Sequence, residues 1–140
     1  MARKSKYGSK KITIDGITFD SKAEARYYKQ LKWLQENKQI LFFRIQPRYL
    51  LQEAFKKNGV THRKIEYVAD FEVHKLDGSI EVVDIKGVET EAFRIKQKLF
   101  EFKYPHTLSL LAYSAEHQGF LPLREYQAYK RRKKKVRATL

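Results

Sequence analysis

The stretch from Ile65 to Gly87, IEYVADFEVHKLDGSIEVVDIKG, holds two strand-like runs separated by Leu76-Asp77-Gly78. β-Branched and aromatic residues alternate with polar ones in both runs, as is typical of strands, and Asp-Gly is a strong turn signal. Asp70 and Asp84 lie near the ends of the two runs, and Lys86 follows two residues after the second acid. The stretch therefore predicts a hairpin that gathers two carboxylates and an ammonium group at one edge of a sheet.

The register of this hairpin decides whether the two acids meet, because directly paired residues of antiparallel strands project from the same face. A two-residue Asp77-Gly78 turn would pair Asp70 with Ile85, whereas a three-residue loop beginning at Leu76 would pair Asp70 with Asp84. Gly78 suits the left-handed position that the longer loop requires. If Asp70 and Asp84 belong to one site, we expect the three-residue loop, or a bulge that corrects the register. We read the first run as one strand, with five residues on one face: Ile65, Tyr67, Ala69, Phe71 and Val73.

The flanking sequence predicts further strands and three helices. Ser21 and Glu24 form a capping-box pattern at the start of a helix from about Lys22 to Asn37. The other predicted elements are a hairpin around Asp15-Gly16, strands at 39–46, 49–55 and 107–113, basic and polar loops at 56–63 and 115–120, a helix at 89–103 with Phe93, Leu99 and Phe100 inward, and a helix from Leu123. This order indicates an α/β fold with a mixed central β-sheet flanked by helices.

The composition favours a polyanionic partner. Thirty Lys and Arg against sixteen Asp and Glu give 140 residues a net charge of +14, which makes nucleic acid the first candidate and an acidic membrane surface the second. No cysteine is present, so disulfides and thiolate zinc sites are excluded. No apolar run reaches the roughly 18 residues of a membrane span, and no secretory signal is recognisable. We therefore expect a soluble, intracellular protein with no membrane partner.

The two acids and the lysine suit phosphodiester hydrolysis. Mg²⁺ or Mn²⁺ held by a few carboxylates can activate a water and neutralise charge at phosphorus. Asp70, Asp84 and the carbonyl of Ile85 are the candidate metal ligands, and Lys86 could orient or deprotonate the water or neutralise the phosphate. The simpler alternatives are a solvated Asp70 and an ordinary ion pair between Asp84 and Lys86.

Three short motifs carry a resemblance to a known superfamily. They are F-x-S-K-x-E at 19–24, Y-x-A-D-F at 67–71 and V-x-D-x-K-G at 82–87. Together they resemble the PD-(D/E)xK nucleases, which include restriction enzymes and Holliday junction resolvases, and are most similar to a small phage and prophage family catalogued as a domain of unknown function. The resemblance spans about residues 17–113. It departs from the usual pattern at Ala69, where a proline is common.

The resemblance implies a restriction-endonuclease-like core and a catalytic site of Glu24, Asp70, Asp84 and Lys86, with Mg²⁺ as cofactor, Mn²⁺ as a substitute, and Glu24 as a further metal ligand. Lys96 or Gln97 on the next helix would assist. Closing the capping box with Ser21 explains Glu24 equally well.

The predicted function is therefore a Mg²⁺-dependent endodeoxyribonuclease, and we expect it to be specific for Holliday junctions or other branched DNA in phage recombination or DNA processing. We expect a homodimer in the cytoplasm of a bacterial host, with no small-molecule substrate. Two alternatives stay open. One is a non-catalytic nucleic-acid-binding module on the same fold, and the other is a basic protein that binds proteins or anionic lipid.

The predicted domain plan is a flexible basic arm at 1–10, a single nuclease-like domain at 11–130 and a basic C-terminal tail at 131–140. Lysine and arginine side chains at both ends and in the 56–63 loop are the candidate DNA contacts. They are Arg3, Lys4, Lys6, Lys10, Lys11, Lys56, Lys57, Arg63, Arg131, Arg132, Lys133, Lys134 and Lys135.

Overall fold

The computed structural model describes residues 10–139, which form three helices and eleven strands within that range. In chain order these are β1 (Ile12–Ile14), β2 (Ile17–Phe19), α1 (Lys22–Glu36), β3 (Ile40–Ile45), β4 (Arg48–Gln52), β5 (Phe55–Lys57), β6 (Val60–His62), β7 (Ile65–Val68), β8 (Phe71–Lys75), β9 (Ile80–Ile85), α2 (Glu91–Lys103), β10 (Thr107–Ser114), β11 (Gly119–Pro122) and α3 (Leu123–Thr139).

The main sheet has five strands in the order β11-β10-β9-β8-β3. β10 runs parallel to β9, and the remaining neighbours are antiparallel. One core, which includes Leu31 of α1, packs against Phe71 and Val83 on one face. A second core, around Val82 of β9 and Phe100 of α2, covers the other face. The predicted mixed α/β architecture with helices flanking a central sheet is therefore confirmed.

The β8–β9 hairpin has the predicted register. Phe71 pairs with Val83 and His74 with Ile80, and Lys75 N donates to Ser79 O at 2.9 Å. Leu76-Asp77-Gly78 is thus the three-residue loop, and Gly78 has φ +85°, which side chains with a Cβ rarely adopt. Extending this ladder by one residue brings Asp70 to the level of Asp84.

The predicted continuous strand from Ile65 to His74 is wrong, because the chain bends at Ala69-Asp70. β7 pairs with β4, whereas β8 pairs with β3. Gln46-Pro47 lies opposite the bend, and Pro47 has no N–H with which to extend a ladder. Gln46 N donates to Asp70 O at 2.9 Å and Ala69 N donates to Pro47 O at 3.1 Å, which ties the two bends together.

The bend also exchanges the faces on which the side chains are buried. Tyr67 and Ala69 belong to the core beneath α2, whereas Phe71 and Val73 belong to the core beneath α1. The single shared face predicted for these residues is therefore corrected. A prediction that rests on strict two-residue alternation cannot detect a bend at which the buried side chains change face.

Other predicted elements need smaller corrections. The predicted strand at 49–55 ends at Gln52, and the predicted loop at 56–63 is the β5–β6 hairpin, in which Asn58 and Gly59 both have positive φ, as a type I′ turn requires. The predicted loop at 115–120 already contains the start of β11. Leu99, predicted to face inward, is 37% exposed, because α2 buries Phe93 and Phe100 instead.

α3 continues through the basic run to Thr139, so residues 131–139 are helical. Of the predicted arm at 1–10, only Lys10 lies among the described residues, and it is exposed.

Candidate functional site

An open cleft of about 390 Å³ lies where β7 bends into β8 and where β9 ends. It is lined by side chains from four separate elements, and the sequence candidates fall among them. The lining residues are Glu24, Tyr67, Val68, Asp70, Asp84, Ile85, Lys86, Thr90, Ala92, Phe93 and Lys96.

The carboxylate of Asp70 is fixed by the backbone of β9. Asp70 Oδ2 accepts a hydrogen bond of 2.7 Å from Ile85 N, and Asp70 N donates to Val83 O at 3.1 Å. Because the β8–β9 ladder ends at the pair of Phe71 and Val83, the side chain of Asp70 takes a position where the next backbone acceptor would lie. The bend that interrupts the strand is thus what turns this carboxylate towards β9.

Asp84 is the most buried acid of the cleft, with 5% of its surface exposed. Tyr67 Oη donates to Asp84 Oδ2 at 2.6 Å, and Lys86 Nζ lies 3.5 Å from Asp84 Oδ1. Lys86 Nζ also lies 4.2 Å from the centre of the Phe93 ring. Burying a charge is expensive unless it is paired and hydrogen-bonded, and these two partners meet that need. The ion pair foreseen for Asp84 and Lys86 is present inside the cleft.

Tyr67 is a site residue that sequence reasoning missed, because its position in an apolar alternation indicated only core. It is 3% exposed and packs among aromatic residues, yet its hydroxyl points at Asp84. Its place in the Y-x-A-D-F motif was the one available signal. Burial and the neighbouring charge of Asp84 raise the pKa of the Tyr67 phenol, so it stays a hydrogen-bond donor at any physiological pH.

The carboxylates of the cleft repel one another. Burial raises the pKa of Asp70 from 3.8 to about 8, and the charges of Asp84 and Glu24 add to this effect. Burial raises the pKa of Glu24 from 4.5 to about 6, with smaller contributions from Asp20 and Asp84. Negative charge is therefore crowded into a partly dehydrated space, an arrangement that a bound cation would relieve.

Glu24 lies in the first turn of α1 behind the N-cap Ser21, and its side chain lines the cleft. Ser21 is the N-cap of α1, and its Oγ accepts a hydrogen bond of 3.1 Å from Glu24 N. The Glu24 side chain at the same time lines the cleft beside Asp70 and Asp84. The first turn of α1 thus serves helix capping with its backbone and the cleft with its carboxylate.

The donor set fits a hard, sparsely liganded cation. Among residues 10–139, no three His, Asp or Glu side chains converge closely enough to form a ready-made metal cage. Mg²⁺ does not need one, because it keeps several waters and binds through one or two carboxylates plus substrate phosphate. Asp70 and Asp84, at the same level of the β8–β9 ladder when it is extended by one residue, match that smaller requirement.

Lys96 and Gln97, the two candidate assisting residues, line different cavities in the structure. Lys96 lines the cleft, one helical turn after Phe93. Gln97 does not; it lines a groove on the other side of α2 with Leu108 and Arg124. The prediction that either residue could assist is therefore narrowed to Lys96.

The predicted DNA contacts occupy three regions. Arg3, Lys4 and Lys6 lie outside the described residues, and Lys10 and Lys11 are exposed. Lys56, Lys57 and Arg63 are exposed on or beside the β5–β6 hairpin. The remaining five lie on α3, where all except the partly buried Lys133 are exposed: Arg131, Arg132, Lys133, Lys134 and Lys135.

Fold and cleft together define a mixed α/β protein with an acid-rich cleft at the bend between β7 and β8. The family model described as "Protein of unknown function (DUF1064)" matches residues 4–118, most of the chain, and the chain belongs to this family. That match contains every residue that lines the cleft, whereas α3 lies beyond it. No curated protein matches the chain.

None of the helices within residues 10–139 has the length and apolar character needed to cross a membrane.

Proposed function

We propose that this protein is a Mg²⁺-dependent endodeoxyribonuclease of the PD-(D/E)xK type, acting on branched DNA such as Holliday junctions. The observation that carries the proposal is a single cleft that Glu24, Asp70 and Asp84 line from three separate parts of the chain, beside Lys86. The raised pKa values of Asp70 and Glu24 show that ionisation of both acids in this cleft is unfavourable for the protein alone, so a cation-dependent function is the best explanation of the cleft.

Asp70 and Asp84 would hold the metal, and Glu24 would be a further metal ligand. When bound, Mg²⁺ supplies charge neutralisation at the phosphate and lowers the pKa of a bound water. Tyr67 holds the carboxylate of Asp84 in place. Lys86, kept near Asp84 and against the face of Phe93, can orient the attacking water or neutralise the phosphate. Lys96 lines the same cleft and offers a second cationic contact for the substrate.

The carbonyl of Ile85 is the candidate third metal ligand. In a strand, the N–H and C=O of one residue point to the same neighbour. Ile85 N donates to Asp70 Oδ2, so the Ile85 carbonyl also faces the side on which Asp70 lies. This orientation supports the ligand role that the sequence suggested for it.

The position of α3 favours a nucleic acid as substrate. Ile85, Leu111 and Pro122 are consecutive partners across β9, β10 and β11, so α3 begins two strand spacings, about 10 Å, from the end of β9. Arg124 and Gln97 line one groove, which places the start of α3 on the face covered by α2. A basic helix of about 25 Å therefore begins on the face of the sheet that carries Asp84.

The second candidate is a DNA-binding module without catalysis, in which Asp84 and Lys86 form only a structural ion pair. The presence of all four acidic and basic site residues favours the enzyme. We place the protein in the bacterial cytoplasm as a phage or prophage product, on the strength of the sequence resemblance.

The exposed face of α2 supports a homodimer, which would present two active sites to two strands. Ile95, Leu99 and Phe102 are 57%, 37% and 93% exposed, and they continue from Ala92 at spacings of three and four residues. Such a stripe is self-complementary when two copies pack antiparallel, since Ile95 of one copy meets Leu99 of the other. We propose that α2 packs on α2 of a second copy.

Sedimentation velocity tests the dimer. The wild-type protein should sediment as a dimer, and Phe102→Ser should yield a folded monomer, whereas Trp33→Ser, which alters an exposed aromatic residue on α1, should stay dimeric. A monomeric wild type would refute this interface.

A cleavage panel tests the enzymatic proposal. Purified protein is incubated with four-way junction, flapped, linear duplex and single-stranded DNA, each with Mg²⁺, Mn²⁺ or EDTA. We expect cleavage of the branched substrates with either metal and none with EDTA. Binding to all substrates without cleavage under any metal condition would favour the non-catalytic module.

A further inference from the structure

The β5–β6 hairpin stands apart from both cores. Residues 52–64 are exposed without interruption, and β5 pairs only with β6. An isolated two-stranded hairpin is only marginally stable in water, so these residues contribute little to holding the domain together. Exposed Phe55 and Val60, at 45% and 55%, are also unfavourable for an element without a partner.

The hairpin prolongs the ribbon that carries the site. The β4–β7 ladder ends with Gln52 opposite Ile65, and Phe55 then pairs with His62. At the other end of the same ribbon, Val68 lines the cleft and Asp70 follows. Nine residue-to-residue steps lead from Val68 to Gly59 at the tip, so the tip can lie at most about 30 Å from Val68.

One face of the hairpin is aromatic. Phe55 and His62 are direct partners, and their rings stack with centroids 4.7 Å apart and planes at 15°. Lys57 and Val60 are also direct partners, so they share this face, because paired residues project together and every second residue returns to the same side. Flat, exposed aromatic surfaces of this kind stack on bases.

The hairpin is also cationic. Among residues 53–64, four are Lys or Arg and one is Glu. Lys56 and Thr61 occupy the face opposite the aromatic pair, and Arg63 and Lys64 lie at the base. Cations on both faces and at the base suit the phosphates that border a groove, and a two-stranded ribbon has the width that the major groove of a duplex admits.

We propose that the β5–β6 hairpin is a second nucleic-acid-binding site, which contacts duplex phosphates through Lys56 and Lys57 and stacks Phe55 on a base pair exposed at a branch. Continuous duplex offers phosphates but no exposed base pair, so the hairpin gives the protein its preference for branched DNA. The identity of the ligand rests on the proposed nuclease function, whereas the binding itself does not require cleavage.

The test measures binding of labelled four-way junction and continuous duplex by fluorescence anisotropy in EDTA, which prevents cutting. Phe55→Ala should weaken junction binding about tenfold, since stacking on a base contributes about 1–3 kcal/mol, and should leave duplex binding unchanged. Lys56→Ala with Lys57→Ala should weaken both and make the salt dependence shallower. Trp33→Ala and the pair Lys29→Ala with Lys103→Ala are matched controls on exposed positions of α1 and α2.

A deletion of the hairpin tests the same proposal without relying on the local folding of the point variants. Because Gln52 and Ile65 are direct partners, residues 53–64 can be replaced by Asn-Gly, which closes a two-residue turn. This variant should keep its thermal stability and lose the junction preference. Unchanged junction and duplex affinities in the deletion would overturn the proposal. If the deletion loses the preference but no substrate is ever cut, the binding site stands and the nuclease proposal fails.

Discussion

Asp70 is the residue at which the fold and the proposed chemistry meet. Its backbone lies at the bend between β7 and β8, and its carboxylate accepts the hydrogen bond of Ile85 N. A residue held this firmly is preorganised for binding, and its unfavourable ionisation is the cause of a pH dependence that can be measured in the metal-free protein.

Stability of the metal-free protein should fall as pH rises. The pKa of Asp70 is raised from 3.8 to about 8, so between these values the folded state keeps a proton that the unfolded state has lost. The stabilisation is complete below pH 3.8 and disappears as pH passes 8, because stability falls with pH wherever the native state binds more protons. The pKa of Glu24 is raised from 4.5 to about 6, so Glu24 adds the same fall in stability between these two pH values.

Asp70→Asn should flatten this profile in urea unfolding with EDTA, since asparagine keeps an acceptor for Ile85 N but has no proton to lose. The control is Asp77→Asn. Hydrogen bonds from Ser79 lower the pKa of Asp77, so this substitution should leave the slope between pH 4 and 8 unchanged. An Asp70→Asn profile as steep as that of wild type would show that Asp70 does not cause the trend.

Residue types and spacing were enough to predict which side chains of the β8–β9 hairpin line the same cleft. Asp84, Ile85 and Lys86 could be chosen because an apolar strand leads into them. Tyr67 could not, because an aromatic residue on an apolar face predicts burial and gives no information on where its hydroxyl points. Lys96 could not be separated from Gln97, since only the packing of α2 decides which of two neighbouring residues faces the cleft.

Among the elements, the β8–β9 hairpin sets the geometry of the cleft. Its three-residue loop decides the register, and the register brings Asp70 to the level of Asp84. Gly78 is the loop residue with a positive φ, and a Cβ at this position would meet nothing within 4 Å. Any cost of a side chain there is therefore conformational.

Gly78→Ala should lower the free energy of unfolding by about 1 kcal/mol, the penalty of a left-handed conformation for a residue with a Cβ. Gly87→Ala is the control, because Gly87 lies in equally open space without a positive φ, and it should be neutral or slightly stabilising. Urea unfolding of both variants measures the difference. Equal stabilities would show that the loop tolerates a side chain and that Gly78 does not fix the register.

Local patterns predicted some short elements where turn or capping chemistry was explicit, although the Asn58-Gly59 turn of the β5–β6 hairpin was read as a loop. Asp15-Gly16 does join β1 to β2, and Ser21 does cap α1. One bend and one hairpin were missed for a physical reason. The exchange of faces at Ala69-Asp70 depends on Pro47 in a distant segment, and the β5–β6 hairpin has too few apolar residues to show a strand period.

At the scale of the whole molecule, charge is concentrated on α3. All residues of α3 beyond Lys133 that the structure describes are exposed, and in the run 130–137 all but Val136 are basic. The helix is anchored by buried Leu123 and by the packing of Tyr129 against His117. Removal of α3 beyond Lys133 should therefore leave the cores intact.

Deleting residues 134–140 should weaken DNA binding without changing the chemical step. The slope of log affinity against log salt should become shallower by up to about 0.9 for each phosphate that the shortened protein no longer neutralises. Single-turnover cleavage at saturating protein should keep its rate, because the deleted segment includes none of the residues that line the cleft. An unchanged salt slope would show that α3 does not bind DNA.

The central claim is that the acids beside Lys86 hold the metal of a phosphodiesterase, and Asp84→Asn tests it most directly. Asparagine keeps an acceptor for Tyr67 Oη but removes the charge that faces Lys86. Single-turnover cleavage of a four-way junction with Mg²⁺ should be abolished in this variant, while thermal stability and junction binding in EDTA are retained. Asp77→Asn, the same change in the exposed loop, should cut at the wild-type rate. If Asp84→Asn cuts as fast as wild type, the assignment of the cleft as the active site is wrong.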